Sequence, residues 1–266
     1  MKGPQRSSYE GLWNLRLGGM PKYLKPNGII EAIENAFRPA GLMMGRWSGT
    51  TGEPQRMWNW TLNWNEIRSD LIAGSCPREV EDLTRIRDET RASAFLCLQS
   101  DECLAHFDID YATHRSHGEQ LGFAMKRVPM RDFDVEDQRS QLATAVGALC
   151  QLLSHGHRVY VHCTAGLGRS PLVLVSYLTL CETMSMADAF ALVKQRRPGA
   201  VPSPEALTDC RADLILTHRS RIEARAWLNY SERLDSRRPG DMLSDWLEAE
   251  RSVLRTVIGS SGALPG

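Results

Sequence analysis

Apolar positions in the middle of the chain follow two patterns that alternate along the sequence. Short β-prone apolar runs predict four strands, at residues 70–73, 94–98, 123–128 and 158–162. Apolar residues at helical spacing, or on nearly every face, predict helices between and after them, at residues 78–88, 137–154, 172–180 and 186–196. Strands that alternate with helices indicate an α/β fold, in which helices cover the faces of a central sheet.

The two ends of the chain have different patterns. Residues 1–56 are predicted to form an N-terminal extension with one helix at about 28–37, which Asn27 would cap. Residues 206–266 carry many charges and no strand pattern, so they are predicted to form a helical C-terminal extension. In its last helix an apolar stripe opposes a charged face, with Leu243, Trp246, Leu247, Leu254 and Val257 in the stripe and Glu248, Glu250, Arg251 and Arg255 opposite. We expect this helix to pack on the central domain, residues 57–205, or on a second subunit.

Composition narrows the classes of partner. The 266 residues hold 32 Lys and Arg against 32 Asp and Glu, so the formal net charge is zero. A balanced charge disfavours general binding to nucleic acid or to a membrane surface, and no apolar run reaches the length of a membrane span. Seven cysteines, an odd number without metal-ligand spacing, are typical of a reducing compartment. The N-terminus also lacks a secretory signal pattern, so we expect a cytoplasmic protein. We expect no metal or other cofactor, because no His, Asp or Glu cluster has ligand spacing.

Residues 162–170 carry the candidate chemistry. They read His-Cys-Thr-Ala-Gly-Leu-Gly-Arg-Ser and lie between a predicted strand and a predicted buried helix. A loop of small residues allows backbone N–H groups to converge on one point, and the helix adds its positive N-terminal end there. Such surroundings favour the thiolate of Cys163, and the planar guanidinium of Arg169 matches two oxygens of a phosphate. The segment therefore predicts a nucleophile in a phosphate-binding loop formed by Thr164, Ala165, Gly166, Leu167, Gly168, Arg169 and Ser170.

A second group must protonate the alkoxide that leaves when a thiolate attacks a phosphate ester. The sequence Arg-Asp-Phe-Asp at residues 131–134 follows the third predicted strand, so its carboxylates are expected near the same end of the sheet. Asp132 is the first candidate for this acid and Asp134 the second, while Asp137 is better placed to cap the following helix. Attack by Cys163 would form a thiophosphoryl intermediate, which water then hydrolyses.

The loop at residues 162–170 resembles the active-site loop of dual specificity phosphatases. Within it, Cys-Thr-Ala-Gly-Leu-Gly-Arg is similar to the form found in glucan phosphatases of the laforin and plant starch phosphatase type. The likeness to the plant enzymes continues through further short segments, at residues 63–67, 70–76, 95–99 and 131–134. The resemblance covers about residues 57–205. It implies the dual specificity phosphatase fold, with a mixed, mostly parallel sheet, and an enzyme that removes phosphate monoesters from α-glucan such as starch or glycogen.

The resemblance also implies roles for single residues. It makes Asp132 the general acid. It places aromatic residues along a channel that holds a glucan chain, namely Phe133, Trp64 and Phe107. Trp60 is a further candidate for that channel, because sugar rings present apolar C–H faces that stack on aromatic rings. For each aromatic residue, packing in the protein core is the competing interpretation. Plant relatives often have two aromatic residues where this chain has His106 and Phe107, so one stacking surface is lost.

Two other functions are open at this point. The same fold would serve an enzyme that acts on phosphoproteins, and an idle site would leave a non-catalytic glycan-binding scaffold. The presence of Cys163, Asp132 and Arg169 together favours an enzyme over the scaffold. Residues 215–256 resemble a small bacterial domain of unknown function, and the C-terminal helices are candidates for homo-oligomer contacts.

Overall fold

The computed structural model describes residues 61–261 of the chain. The predicted N-terminal helix with its Asn27 cap lies outside the described residues, and so does Trp60. The strands are β1 (Trp64–Arg68), β2 (Leu71–Gly74), β3 (Ala94–Gln99), β4 (Ala124–Met130) and β5 (Val159–His162). The helices are α1 (Val80–Thr90), α2 (Asp101–His106), α3 (Tyr111–Gln120), α4 (Val135–Ser154), α5 (Arg169–Leu180), α6 (Met186–Arg196), α7 (Pro204–Thr217), α8 (Arg219–Asp235) and α9 (Met242–Ser261). None of the helices in this range is long and apolar enough to cross a lipid bilayer.

The five strands of this range form one sheet in the order β1-β2-β5-β3-β4. β1 pairs antiparallel with β2, and the other neighbouring strands are parallel. The predicted α/β fold with a mixed, mostly parallel sheet is therefore confirmed.

The carboxyl ends of the parallel strands meet at one edge of the sheet. His162, the last residue of β5, pairs with Gly74 of β2 and with Cys97 of β3. The last residues of β3 and β4 also pair with each other. The loop that begins at Cys163 follows β5, and the segment 131–134 follows β4. Both candidate catalytic segments thus leave the sheet at the same edge, which is where open α/β sheets bind their ligands.

Helices cover both faces of the sheet. On one face, α1 packs through Leu83 and Ile86 against Phe95 of β3 and Tyr160 of β5, in a buried apolar cluster. Successive residues of a strand point to opposite faces, so the alternate positions of β2 and β5 face α5, which contacts both strands. Residues 172–175 of α5 are fully buried, because α4 and α6 pack on the helix from outside. This packing fixes the helix that follows the candidate phosphate loop.

The predicted strands and helices of the central region lie within a few residues of their predicted positions. Three further elements, β1, α2 and α3, are not predicted by the apolar pattern of the sequence. β1 is an edge strand in which Ile67 is buried. α2 spans six residues, and α3 buries His114 and Gly118. Elements that bury so few apolar side chains show little hydrophobic periodicity, which is why the sequence does not predict them.

The C-terminal residues of the described range form α7, α8 and α9, and α9 packs against α8 and α4. Trp246 and Leu254 of the predicted stripe are buried. Two assignments on this helix are wrong. Leu243, in the first turn of α9, is 40% exposed. Glu250 is 2% exposed rather than on a charged outer face, because Arg211 of α7 lies 2.6 Å from its carboxylate and offsets the cost of burying it.

Candidate active site

Cys163 follows β5 directly and begins the loop that joins β5 to α5. It is 3% exposed, at the carboxyl edge of the sheet. Its Sγ lies 3.6 Å from the Oγ of Ser170, which is in the first turn of α5. Because α5 begins at Arg169, the positive end of the helix lies at the end of this loop. The structure thus brings the predicted nucleophile, the loop and the helix end together.

The carbonyl groups of this loop are held by donors outside it. The hydrogen bonds run from Cys76 N to Thr164 O at 2.9 Å, from Arg197 Nη2 to Ala165 O at 3.0 Å, from Arg197 Nε to Gly166 O, and from Val201 N to Leu167 O at 2.7 Å. Because each peptide is planar and trans, the N–H of the following residue points the opposite way. Within residues 61–261, no backbone carbonyl group accepts the amide hydrogens of residues 165–168. The loop therefore presents several N–H groups to one anion.

Gly166 is required by the shape of the loop. Its φ is +72°, in the left-handed region that side chains disfavour. A Cβ at this position would lie 2.2 Å from the carbonyl oxygen of Gly74 and 2.7 Å from Nη2 of Arg197. Any side chain here would push the loop away from β2 and from the arginine that holds its carbonyl groups.

The guanidinium of Arg169 is fully buried, and one of its nitrogens has no hydrogen-bond acceptor within residues 61–261. Nη1 donates to the carbonyl oxygen of Met130 at 2.9 Å, at the end of β4. Nη2 donates to Oγ1 of Thr164 at 3.1 Å and to Oδ2 of Asp132 at 2.7 Å. Nε is buried and finds no acceptor in the described structure. A buried donor without an acceptor is costly, and an anionic oxygen at this point would satisfy it.

The two buried bases next to the loop differ in charge. Burial opposes the positive charge of Arg169, but Cys163 and Asp132 outweigh that effect and raise the pKa of Arg169. Burial lowers the pKa of His162 to about 4, so this imidazole is neutral at pH 7. Its Nδ1 lies 3.2 Å from the carbonyl oxygen of Cys163, which suits a role in ordering the loop. In the range 61–261, no group of three or more His, Cys, Asp and Glu side chains is arranged to hold a metal ion.

The structure separates the three candidate carboxylates. Asp132 lies at the site, with Oδ2 2.7 Å from Nη2 of Arg169. Asp134, the second candidate acid, caps α4 by accepting a hydrogen bond from the backbone N–H of Asp137 at 3.0 Å. The assignment of Asp137 as the cap is therefore wrong. Its Oδ2 instead accepts a hydrogen bond from the backbone N–H of Arg131 at 2.6 Å, because this residue already lies inside the first turn.

The aromatic candidates lie in different environments. Phe133 is 95% exposed and has a φ of +58°, so its ring contributes nothing to the core. Trp64 is half-buried against the apolar cluster beneath α1, with the guanidinium of Arg85 5.6 Å from its ring centre. Phe107 is half-buried against the cluster that contains Leu104. Core packing is thus excluded for Phe133, while Trp64 and Phe107 have both a packed and an accessible face.

Arg197 is a site residue that the sequence analysis misses. Its side chain is buried, and burial lowers the pKa of the guanidinium. On one side it donates hydrogen bonds to the loop carbonyl groups. On the other side its Nη1 and Nη2 donate to the amide oxygens of Asn65 and Asn63, each at 2.8 Å. By holding two carbonyl groups outward, it directs the next N–H groups inward. Nothing in the sequence separates Arg197 from the adjacent Arg196, which is exposed.

Replacing Arg197 with glutamine is expected to weaken the binding of inorganic phosphate by at least about tenfold, the equivalent of one hydrogen bond to a charged group. The loop carbonyl groups would lose their donors, and the amides would lose their alignment. Isothermal titration with phosphate measures this loss, and melting curves identify a variant that has lost its fold. Arg196→Gln is the matched control. Unchanged affinity in the folded Arg197 variant would show that this residue does not position the loop.

Comparison with known families agrees with this geometry. Residues 95–209 match the sequence profile of the family described as dual specificity phosphatase, catalytic domain. The matched range includes Cys163, Arg169 and Asp132. Residues 95–209 are therefore similar to a dual specificity phosphatase catalytic domain.

Two curated relatives and one solved structure are similar to parts of this chain. The chain is 32% identical to the amyloplastic phosphoglucan phosphatase DSP4 of Castanea sativa over 170 residues, which are 63% of this chain and 45% of that protein. It is 25% identical to laforin of Mus musculus over 193 residues, 65% of this chain and 58% of laforin. The chain thus spans about half the length of these curated relatives. The solved structure of Tk-PTP in the active form is 24% identical, with a TM-score of 0.45, over 56% of this chain and 94% of that one.

The resemblance to the glucan phosphatase type of dual specificity phosphatases is confirmed by these relatives. The resemblance of residues 215–256 to a bacterial domain stays a prediction.

Proposed function

We propose that the chain is a cysteine-dependent phosphatase that removes phosphate monoesters from phosphorylated α-glucan. One observation carries the catalytic part: the buried thiol of Cys163 begins the loop that ends at the buried guanidinium of Arg169, whose Nε finds no acceptor within residues 61–261. The glucan part is supported by the similarity to a phosphoglucan phosphatase and by the exposed ring of Phe133 next to Asp132.

In the first step, the thiolate of Cys163 attacks phosphorus. The S–P bond forms and the ester P–O bond breaks, while Asp132 gives a proton to the departing oxygen. The loop N–H groups and Nε of Arg169 hydrogen-bond to the other phosphate oxygens and offset their developing charge. Because these donors are already held by Arg197 and by the strand ends, they need little rearrangement as charge develops.

In the second step, water hydrolyses the thiophosphoryl intermediate. Asp132, now a carboxylate, accepts a proton from the water whose oxygen attacks phosphorus. The S–P bond breaks, and inorganic phosphate and the Cys163 thiolate are released. The hydroxyl of Ser170, 3.6 Å from Sγ, donates a hydrogen bond to that thiolate as it leaves.

The substrate class is tested by comparing phosphate release from solubilised phosphoglucan and from a panel of phosphopeptides, each as kcat/KM. We expect the phosphoglucan to be the better substrate. Higher values for the phosphopeptides would make the chain a protein phosphatase. No release from either substrate, or from a simple aryl phosphate, would leave the scaffold function.

Replacing Phe133 with alanine is expected to lower kcat/KM for phosphoglucan about threefold to tenfold, the contribution of one aromatic contact. Hydrolysis of a small aryl phosphate should change little, because the ring is solvent-exposed and supports no packing. Val135→Ala, at another exposed apolar position near the site, is the matched control. Equal losses on both substrates would exclude a role for Phe133 in holding glucan.

The remaining assignments are part of this proposal. Residues 57–205 form the catalytic domain, with residues 1–56 and 206–266 as extensions. Trp64, Phe107 and Trp60 are further candidates for glucan contacts. A cytoplasmic location and homo-oligomer contacts through the C-terminal helices stay predictions.

A further inference from the structure

Two cysteines far from the catalytic loop lie in direct contact. Cys150 is in the last turns of α4, and Cys181 caps the carboxyl end of α5. Their Sγ atoms are 3.2 Å apart and share a hydrogen bond. Cys150 is partly accessible to solvent, whereas Cys181 is buried. Two thiols in contact, one of them accessible to an oxidant, are candidates for joining as a disulfide.

The environment makes Cys150 the more reactive sulfur of the two. When Cys150 is ionised, the thiol of Cys181 donates a hydrogen bond to it, which lowers the pKa of Cys150 and raises that of Cys181. The positive charge of Arg255 on α9 adds to the lowering, against burial and Glu182. The C-terminal helix therefore contributes directly to the chemistry of this thiol.

Other cysteines of the described range lack this combination. Burial raises the pKa of Cys97 and of Cys210 to about 11, and it also raises the pKa of Cys76. Burial raises the pKa of Cys103, but Ser100 and Arg169 lower it by more. Cys103 belongs to the candidate active site, because Nη1 of Arg169 donates to its sulfur. A paired, partly accessible thiol outside that site is found at Cys150 and Cys181.

We propose that Cys150 and Cys181 form an oxidation site, in which hydrogen peroxide converts the two thiols into a reversible disulfide that joins α4 to α5. The thiolate of Cys150 attacks the peroxide, so an S–O bond forms, the O–O bond breaks, and water leaves after protonation. The sulfur of Cys181 then attacks the sulfenic acid, so the S–S bond forms, the S–O bond breaks, and a second water leaves. Two thiols and one hydrogen peroxide thus give one disulfide and two waters, and the two electrons pass to the peroxide.

The position of the pair defines what the disulfide does. Cys181 lies about 18 Å from Arg169 along α5, at 1.5 Å per residue, so the bond would form away from the catalytic loop. It would cross-link the two helices whose first turns follow the Asp132 segment and the Cys163 loop. We therefore expect oxidation to stabilise the catalytic domain without blocking Cys163. The oxidation site does not depend on the proposed function.

The test uses the full chain with Cys163→Ser, which removes the catalytic sulfur and leaves six of the seven cysteines. The protein is treated with millimolar hydrogen peroxide, denatured, alkylated with N-ethylmaleimide and analysed by intact mass and peptide mapping. We expect two thiols to escape alkylation, the chain to lose two mass units, and the cross-linked peptides to contain Cys150 and Cys181. A reductant should restore both thiols. Six alkylated thiols after treatment, or a disulfide between other cysteines, would overturn the proposal.

Three variants in the same background complete the test. Cys150→Ser should show no disulfide, and Cys181→Ser should leave a sulfenic acid on Cys150 that dimedone traps. Cys210→Ser is the matched control, because it removes a buried cysteine on α7. This variant should form the same disulfide as the parent chain. Oxidation should raise the melting temperature of the parent and of the control by about 5 °C or more. It should not raise the melting temperature of Cys150→Ser or Cys181→Ser. A rise of the same size in Cys150→Ser would show that this disulfide is not its cause.

Discussion

The Cys163→Ser variant is expected to lose at least about 10⁴-fold in kcat on an aryl phosphate, since removing the nucleophile of a covalent mechanism costs on the order of 10⁶-fold. A serine hydroxyl is not ionised at neutral pH, whereas the thiolate is the form in which a cysteine attacks. Steady-state hydrolysis of 4-nitrophenyl phosphate measures the loss.

The fold and the anion site should survive this substitution. The loop carbonyl groups are held by Arg197 and by backbone donors, and none of these contacts involves Sγ of Cys163. Tungstate should therefore raise the melting temperatures of Cys163→Ser and of the parent chain by similar amounts. Cys210→Ser, at a buried cysteine on α7, should keep full activity. Activity above a tenth of the parent value in a folded Cys163→Ser chain would exclude the thiophosphoryl mechanism.

The sequence predicts the part of the site that is local along the chain. Cys163, the loop and Arg169 lie within one strand–loop–helix unit, where small residues and a buried helix leave few other conformations. Asp132 is also within reach of sequence reasoning, because it follows a strand that runs parallel to β5 and so ends at the same edge. The sequence pattern does not separate Asp132 from Asp134, and the family resemblance favours Asp132. The structure agrees, because Asp134 caps α4.

The part that the sequence does not predict depends on contacts between distant segments. Arg197 reaches the loop through Ala165 and Gly166 and is held by Asn63 and Asn65, which are more than a hundred residues away. Partners this far apart leave no periodicity or spacing that a single sequence reveals. The contact of Cys150 with Cys181 has the same origin, because it arises from the packing of two helices joined by β5 and the phosphate loop.

Asp132 has a second relation to the site that bears on its role as the acid. Its carboxylate pairs with Nη2 of Arg169 at 2.7 Å, and this guanidinium is also the group that a substrate phosphate needs. Two anions therefore compete for one cation. While Oδ2 accepts the hydrogen bond from Nη2, this oxygen is turned towards Arg169, so the side chain must leave Arg169 before it can give a proton to the departing oxygen. Binding of the phosphate would release it by replacing it at Nη2.

Replacing Asp132 with asparagine is thus expected to separate catalysis from binding. The variant lacks an acid, so kcat for phenyl phosphate, a poor leaving group, should fall by about 10²–10⁴-fold, with a smaller loss for 4-nitrophenyl phosphate. Because a competing charge is also removed, the inhibition constant of inorganic phosphate should stay equal or decrease. Steady-state kinetics on both esters, with phosphate as inhibitor, measure the two effects.

Asp134→Asn is the matched control, since asparagine caps a helix as well as aspartate does and the start of α4 is preserved. It should keep nearly full activity and the parent dependence on the leaving group. A large loss in Asp134→Asn beside normal turnover in Asp132→Asn would transfer the acid role to Asp134. Weaker phosphate binding in Asp132→Asn would instead mean that the carboxylate holds Arg169 in place for the substrate rather than competing with it.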